Sequence, residues 1–153
     1  MKNKNLDLKF SIILPAYNED ENITRLIREI NNIEDLKKFT FEILVINDCS
    51  SDNTEKKVEE LKKNYDNITL LSNLKNKGQS YSIYKGIKNS KYQVIVTMDA
   101  DGQNHPKDII SLLNHYNNKH HKCLVGGIRK DRKDSFMKKK SSVIANKIRN
   151  IFF

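Results

Sequence analysis

Residues 94–104 read Val-Ile-Val-Thr-Met-Asp-Ala-Asp-Gly-Gln-Asn, an apolar run that ends in two carboxylates, Asp99 and Asp101. This pattern predicts a buried strand that delivers both acids to the carboxyl edge of a sheet, where open α/β sheets bind ligands. Paired carboxylates there suit Mg²⁺ or Mn²⁺, which in turn can hold a diphosphate. Taken alone, the pair is equally compatible with two solvated acids in a turn.

The rest of the chain alternates strand-like runs with helical periodicity. The strand candidates are short, rich in Ile, Val and Leu, and do not alternate with polar residues, which is typical of parallel strands covered on both faces. They are Phe10–Leu14, Phe41–Ile46, Ile68–Leu71, Tyr92–Met98 and Lys122–Val125.

Four apolar stripes at helical spacing lie between these runs, and each predicts a helix that faces a core. The stripes are Ile23, Leu26, Ile27 and Ile30; Val58, Leu61 and Tyr65; Ile83, Tyr84 and Ile87; and Ile109, Leu112, Leu113 and Tyr116. The alternating order predicts an α/β fold, a mostly parallel sheet with helices on both faces.

Length and composition favour a single domain over residues 1–153. No apolar stretch approaches the roughly 18 residues of a membrane span, and the N-terminus lacks the apolar core of a signal peptide. The two cysteines, Cys49 and Cys123, have no metal-binding or redox spacing. These features predict a reduced, cytoplasmic protein.

The positive charge is concentrated at the C-terminal end. Residues 129–149 hold nine Lys or Arg and two Asp, a net charge of +7 out of +9 for the whole chain. Residues 135–153 also carry an apolar stripe and are predicted to form a basic amphipathic helix, within a basic amphipathic segment at about 129–153. That helix would either contact an anionic membrane surface or pack onto further protein. Nucleic-acid binding is disfavoured because the charge is local and no aromatic platform accompanies it.

Two further strand ends carry polar residues. Pro15 closes the first strand, and Asn18 is expected to cap the helix that carries Ile23. Asp48 follows the second strand, where a carboxylate can accept a hydrogen bond from a nucleotide base. Taken alone, the first segment is more typical of an ordinary strand–turn–helix than of a binding site. The second is at least as compatible with an acid in a helix-capping loop.

Together with Asp99 and Asp101, these segments resemble the family 2 glycosyltransferases with a GT-A fold. The chain is most similar to the polyprenyl-phosphate, or dolichol-phosphate mannose synthase-like, sugar transferases. The blocks that carry the resemblance occur in the expected order and spacing: residues 12–19 (IILPAYNE), 42–54 (EILVINDCSSDNT), 76–80 (NKGQS), 98–106 (MDADGQNHP), 126–129 (GGIR) and 141–150 (SSVIANKIRN).

The resemblance implies a role for each matching position. Residues of the nucleotide-sugar pocket, at about 10–128, would be Pro15, Tyr17, Glu19, Asn47, Asp48, Lys77, Gly78 and Asp99. Asp101 would bind Mg²⁺ or Mn²⁺ with help from Gln103. The catalytic set would be Asp99, Asp101 and Arg129, with Arg132 a less certain companion near the phosphates. Asn47 replaces an acid that is common in the family, which puts the role of that position in doubt.

The implied reaction is a metal-dependent, inverting transfer of a sugar from a UDP- or GDP-linked donor to a polyprenyl phosphate. The protein would act at the inner face of the cytoplasmic membrane. The chain ends before the acceptor-side motifs of the family, so the C-terminal part is expected to be truncated. Two alternatives therefore remain: an inactive donor-binding remnant, and a transferase that acts on a cell-envelope polysaccharide.

Overall fold

A computed structural model describes residues 8–117 and 123–127 of the chain. Strands and helices alternate throughout the longer of these two segments. In chain order they are β1 (Lys9–Ala16), α1 (Ile23–Asn32), a short 3₁₀ helix (Leu36–Lys38), β2 (Thr40–Asn47), α2 (Thr54–Lys62), β3 (Ile68–Ser72), α3 (Gln79–Asn89), β4 (Val94–Thr97) and α4 (Asp108–Asn117).

The four strands form one parallel sheet in the order β3-β2-β1-β4. The register aligns Ala16 with Asn47 and Asn47 with Ser72, so these strands end at the same edge. The chain progresses outward from β1 to β3 and then returns to place β4 on the other side of β1. This reversal creates a topological switch point between β1 and β4, the place where open α/β sheets bind ligands.

One face of the sheet carries the main hydrophobic core. Helix α1 covers it with the predicted stripe, because Ile23, Leu26, Ile27 and Ile30 are all buried. Helices α2 and α4 add Val58, Leu61, Ile109 and Leu113 to the same cluster. The prediction that apolar strand residues are buried is thus confirmed on this face. The residues that β1 and β2 contribute are Phe10, Ile12, Leu14, Ala16, Ile43 and Val45.

The opposite face is covered by α3 in a way that the sequence analysis did not predict. The expected stripe is wrong: Tyr84 is 57% exposed and Ile87 is 46% exposed, whereas Ser82 and Gly86 are buried. A Cβ atom on Gly86 would lie 2.5 Å from Cγ2 of Ile13, so α3 packs with its smallest residues against the sheet. Close approach of the backbones, and not a broad apolar stripe, decides which side of α3 is buried.

The fifth predicted strand, Lys122–Val125, is also wrong over its described residues. Residues 123–127 form no strand, and Leu124 is 98% exposed. A strand forms through pairing, and apolar composition alone did not provide a partner for this segment. The predicted basic helix at 135–153, like the whole basic segment at about 129–153, lies outside the described residues. Within residues 8–117 and 123–127, every helix falls short of the length and apolar character that a membrane span requires.

Candidate active site

A cleft of about 240 Å³ opens at the carboxyl ends of β1, β2 and β4, at the switch point of the sheet. It brings together six of the residues predicted from the sequence: Pro15, Tyr17, Glu19, Asp48, Asp99 and Asp101. Ala16, Ala100, Gln79 and Ser82 complete its lining. Residues that are far apart in the chain meet here because parallel strands end at the same edge.

The loops that follow β1 and β2 are joined by hydrogen bonds. Asn18 has a φ of 55°, and its Oδ1 accepts a hydrogen bond of 2.8 Å from the backbone N–H of Ser51. The backbone N–H of Glu19 donates to Oγ1 of Thr54 at 2.8 Å. The expectation that Asn18 caps α1 is therefore wrong, since Asn22 occupies the N-cap position and the Asn18 side chain fixes the neighbouring loop.

Asp48 is buried and holds the loop that leads into α3. Its Oδ1 accepts hydrogen bonds from Nδ2 of Asn73 at 2.7 Å and the backbone N–H of Lys77 at 2.9 Å, and its Oδ2 accepts one from Gly78 N–H at 2.7 Å. Burial alone would raise the pKa of this carboxyl. The three hydrogen bonds and the nearby ammonium of Lys85 outweigh that effect and lower the pKa below its ordinary value of 3.8.

Asn47 lies beneath the cleft and does not line it. Its Oδ1 accepts a hydrogen bond from the backbone N–H of Ser50 at 3.0 Å, and its Nδ2 donates to Oε2 of Glu55 at 2.8 Å and to Oγ of Ser72 at 3.3 Å. An amide can fill this buried position because it donates and accepts at once. Direct contact between Asn47 and a nucleotide stays a prediction.

The two carboxylates that follow β4 are held more lightly. Oδ1 of Asp99 accepts a hydrogen bond of 2.6 Å from Nε2 of Gln79, and Oδ1 of Asp101 accepts one of 2.9 Å from the backbone N–H of Gln103. Each carboxylate thus accepts one hydrogen bond from the described part of the chain, and Asp101 is exposed. Their remaining acceptor positions are open to a ligand.

These carboxylates fit a divalent cation that is shared with a substrate. In residues 8–117 and 123–127, no three His, Cys, Asp or Glu side chains converge to hold a metal by themselves. Mg²⁺ and its analogues commonly use one or two carboxylates and complete their coordination with water and substrate phosphates. Asp101 and Asp99 provide that partial set, and the exposed Gln103 lies next to it in the same turn.

The negative charge of the cleft also indicates that an anionic ligand would need a cation to bind there. Four acids line it, namely Glu19, Asp48, Asp99 and Asp101, and no Lys or Arg is present among the described lining residues. An anionic ligand would be repelled here unless a cation entered with it. The lining is therefore suited to a diphosphate that arrives together with a divalent metal.

Two other predicted residues, Lys77 and Gly78, are not among the described lining residues of the cleft. Lys77 and Gly78 contact Asp48 through their backbone N–H groups, and Arg129 and Arg132 lie outside the described residues. Sequence reasoning missed Gln79 and Ser82, although Gln79 belongs to the matched block at residues 76–80. It also missed Asn73, whose position directly after β3 would have placed it at the same edge.

Comparison with known proteins identifies the family. The family model described as Glycosyl transferase family 2 matches residues 11–152. The chain belongs to this family. A dolichol-phosphate mannosyltransferase from Pyrococcus furiosus is 39% identical over 106 residues, which are 69% of this chain and 29% of that protein. An undecaprenyl-phosphate 4-deoxy-4-formamido-L-arabinose transferase from Proteus mirabilis is 33% identical over 141 residues, or 90% of this chain and 42% of that protein.

Solved structures confirm the predicted GT-A fold for this family 2 domain. A mannosyltransferase from Pyrobaculum calidifontis, solved with GDP-Man and Mn²⁺, has a TM-score of 0.63 at 19% identity, covering 72% of this chain and 32% of that one. Glucosyl-3-phosphoglycerate synthase from Mycobacterium tuberculosis, solved with Mn²⁺ and UDP, has a TM-score of 0.60 at 21% identity, covering 73% and 40%. The chain thus matches less than half the length of each of these relatives.

Proposed function

We propose that this family 2 domain binds the donor in a metal-dependent, inverting transfer of a sugar from a UDP- or GDP-linked sugar to a polyprenyl phosphate. The observation that carries the proposal is the acid-lined cleft at the switch point between β1 and β4. Such a cleft is unsuited to a free anion but suited to a nucleoside diphosphate that is accompanied by a divalent cation.

The donor would be bound by two groups of residues that differ in their rigidity. Pro15, Tyr17 and Glu19 line the β1 side of the cleft that Asp48 also lines, and they would surround the nucleoside. Asp48 keeps one acceptor position on Oδ2 that a base N–H could use. Asp99 would contact the ribose or the cation, while Asp101 and Gln103 would bind the cation beside the diphosphate.

Departure of the nucleoside diphosphate is the step that most needs assistance. A Mg²⁺ or Mn²⁺ ion bound at Asp101 would act as a Lewis acid and offset the charge that develops on the leaving group. Gln79 donates a hydrogen bond to one carboxylate oxygen of Asp99 and would keep that carboxylate oriented toward the ribose or the cation. A lipid phosphate is already anionic at neutral pH, so the attacking oxygen needs no strong general base from the protein.

The acceptor assignment rests on the relatives, both of which are named for transfer to or from a polyprenyl phosphate. Arg129 would lie near the phosphates and reduce their mutual repulsion. The basic segment at 129–153 would hold the domain at an anionic membrane surface, on the cytoplasmic side. Each of these roles falls on residues beyond those that the structure describes.

A second candidate function is donor binding without transfer. It rests on the same acid-lined cleft, whose described residues are assigned only to the donor and its cation. In that case the cleft would bind nucleotide with the same dependence on metal, and no sugar would reach any lipid phosphate.

A transfer assay separates the two candidates. The chain is incubated with Mn²⁺, radiolabelled UDP- or GDP-linked hexoses, and vesicles that contain undecaprenyl or dolichyl phosphate. Label in the lipid fraction that requires Mn²⁺ supports the transferase, and its loss in Asp101→Ala assigns the metal site. Lys107→Ala is a matched control, since Lys107 is exposed and lies outside the cleft. Donor binding with no labelled lipid supports the second candidate, and absence of donor binding contradicts both.

A further inference from the structure

The outward face of α3 is exposed, aromatic and basic. Tyr84 and Ile87 lie on the side of α3 opposite the buried Ser82 and Gly86, and Tyr81 beside them is 44% exposed. Leu74, in the loop before the helix, is fully exposed. Apolar and aromatic side chains gathered on one exposed face commonly mark a surface that binds a partner.

The exposed charges beside these side chains are positive. From residue 67 to residue 98 the sequence contains five lysines and no Asp or Glu. Lys85 donates to Ser72 O and Asn73 Oδ1, and Lys91 lies 3.8 Å from the Glu42 carboxylate. The exposed Lys75, Lys77 and Lys88 therefore carry the charge of this face. Nζ of Lys77 lies 5.4 Å from the ring centroid of Tyr81, and Nζ of Lys88 lies 5.8 Å from that of Tyr84. The partner that complements this surface is therefore anionic.

We propose that the outward face of α3, with Leu74 and Lys75 before it, docks on an anionic lipid bilayer. Tyrosine and isoleucine side chains enter the interfacial region of a bilayer, and lysines beside them pair with anionic headgroups. A nucleic acid fits less well, because its bases stack on open aromatic faces and both tyrosine rings here are already approached by an ammonium group.

The same helix connects this surface to the cleft. Gln79, the first residue of α3, donates to Asp99, and Gly78 before it donates to Asp48. A bilayer against the outer face would thus lie beside the opening where the donor is proposed to bind. The inference deepens the proposed function, whose acceptor is a lipid, but vesicle binding needs no nucleotide and therefore fails or succeeds independently of sugar transfer.

The chain contains no tryptophan, so one introduced tryptophan reports on one position. The test places it on the docking face with Tyr84→Trp. The matched control is Asn64→Trp, an exposed position just after α2 and on the opposite face of the sheet. Each full-length variant is mixed with phosphatidylglycerol–phosphatidylcholine vesicles whose acyl chains are brominated, since bromine quenches only tryptophan that enters the bilayer.

The proposal predicts that vesicles shift the Tyr84→Trp emission to shorter wavelength and that brominated lipid removes most of it, while Asn64→Trp is unaffected. Three results would overturn the proposal. The first is no vesicle binding by the folded chain, and the second is binding without quenching of Tyr84→Trp, as expected if residues 129–153 dock alone. The third is blue-shifted emission of Tyr84→Trp before vesicles are added, which would show that protein already covers this face.

The contribution of charge is measured with paired lysine substitutions. Lys75→Gln with Lys88→Gln removes two charges from the docking face, and Lys56→Gln with Lys63→Gln removes two from exposed positions on α2 and at its C-cap. We expect the first pair to lower partitioning into anionic vesicles by about ten- to thirty-fold, and the second to change it much less. Equal effects from both pairs would contradict a defined docking face.

Discussion

The loops that follow β2 and β4 both bring an aspartate to the cleft, but they hold it differently. Asp48 is 4% exposed and accepts three hydrogen bonds from the loop before α3. Asp101 is exposed and accepts one, from the backbone of its own turn. The first carboxylate organises the protein, whereas the second keeps open the positions that a metal ion needs. Stability and ligand binding should therefore depend on different acids.

The largest expected effect is on the unfolding free energy of Asp48→Ala. Truncation leaves Asn73 Nδ2 and the N–H groups of Lys77 and Gly78 without their acceptor, and we expect a loss of about 3 kcal/mol. Urea denaturation followed by circular dichroism measures it. The matched control, Asp101→Ala, should change the unfolding free energy by less than about 0.5 kcal/mol. Equal losses in the two variants would contradict the comparison.

A smaller effect is expected from pH. The pKa values of Asp48 and Asp52 are lowered in the folded state. Burial alone would raise each pKa, but hydrogen bonds outweigh that effect: Asn73 donates to Asp48, and Thr54 donates to Asp52. The stabilisation is complete above the ordinary pKa of 3.8 and is lost as the pH falls through the lowered values. The urea concentration at the unfolding midpoint should therefore decrease as the pH is lowered below about 4. Asp48→Asn should weaken this dependence, and an unchanged profile would contradict the assignment.

The conformation of Gly78 predicts a further, smaller loss. Its φ is +86°, and a Cβ there would have no atom within 4 Å, so Gly78→Ala introduces backbone strain without a clash. Because ψ is 163°, this backbone conformation is essentially restricted to glycine, and we expect the unfolding free energy to fall by about 2 kcal/mol. Gly126→Ala is the control, because it too has open space but no positive φ. A thermal melt in which both variants match the wild type would show that the loop relaxes freely.

The smallest expected effect is on nucleotide affinity in Gln79→Ala. This change removes the hydrogen bond that fixes Asp99 and leaves the core intact. Affinity for the nucleotide–metal complex should fall by about three- to tenfold, the amount that one hydrogen bond contributes. The neighbouring exposed residue provides the control, Ser80→Ala. An effect of similar size in the control would show that α3 as a whole, and not Gln79, sets the position of Asp99.

The sequence predicted the parts of the fold that depend on local pattern. The stripe on α1 and the apolar strands are confirmed, because periodicity and composition report burial directly. The stripe on α3 was wrong, since its buried side is set by the contact between Gly86 and Ile13, which no periodicity reveals. The strand at Lys122–Val125 was wrong over residues 123–125 because apolar composition does not supply a pairing partner.

In the candidate site, too, local sequence pattern predicted some residues, whereas tertiary contacts determine others. Residues at strand ends, such as Asp48 and Asp99, were predicted because parallel strands place them at one edge. The bonds from Asn73 to Asp48 and from Gln79 to Asp99 join segments 20 to 25 residues apart. Such contacts depend on the tertiary arrangement of β3, α3 and β4, so they emerge only from the structure.

The central claim is that the acid-lined cleft binds a nucleoside diphosphate through a divalent cation. Calorimetric titration of the chain with GDP and UDP, in Mn²⁺ and again in EDTA, tests it most directly. The account predicts binding of one nucleotide in Mn²⁺ that disappears in EDTA and in Asp101→Ala, while the variant stays folded. Binding that persists in EDTA, or no binding of either nucleotide by the folded chain, would contradict it.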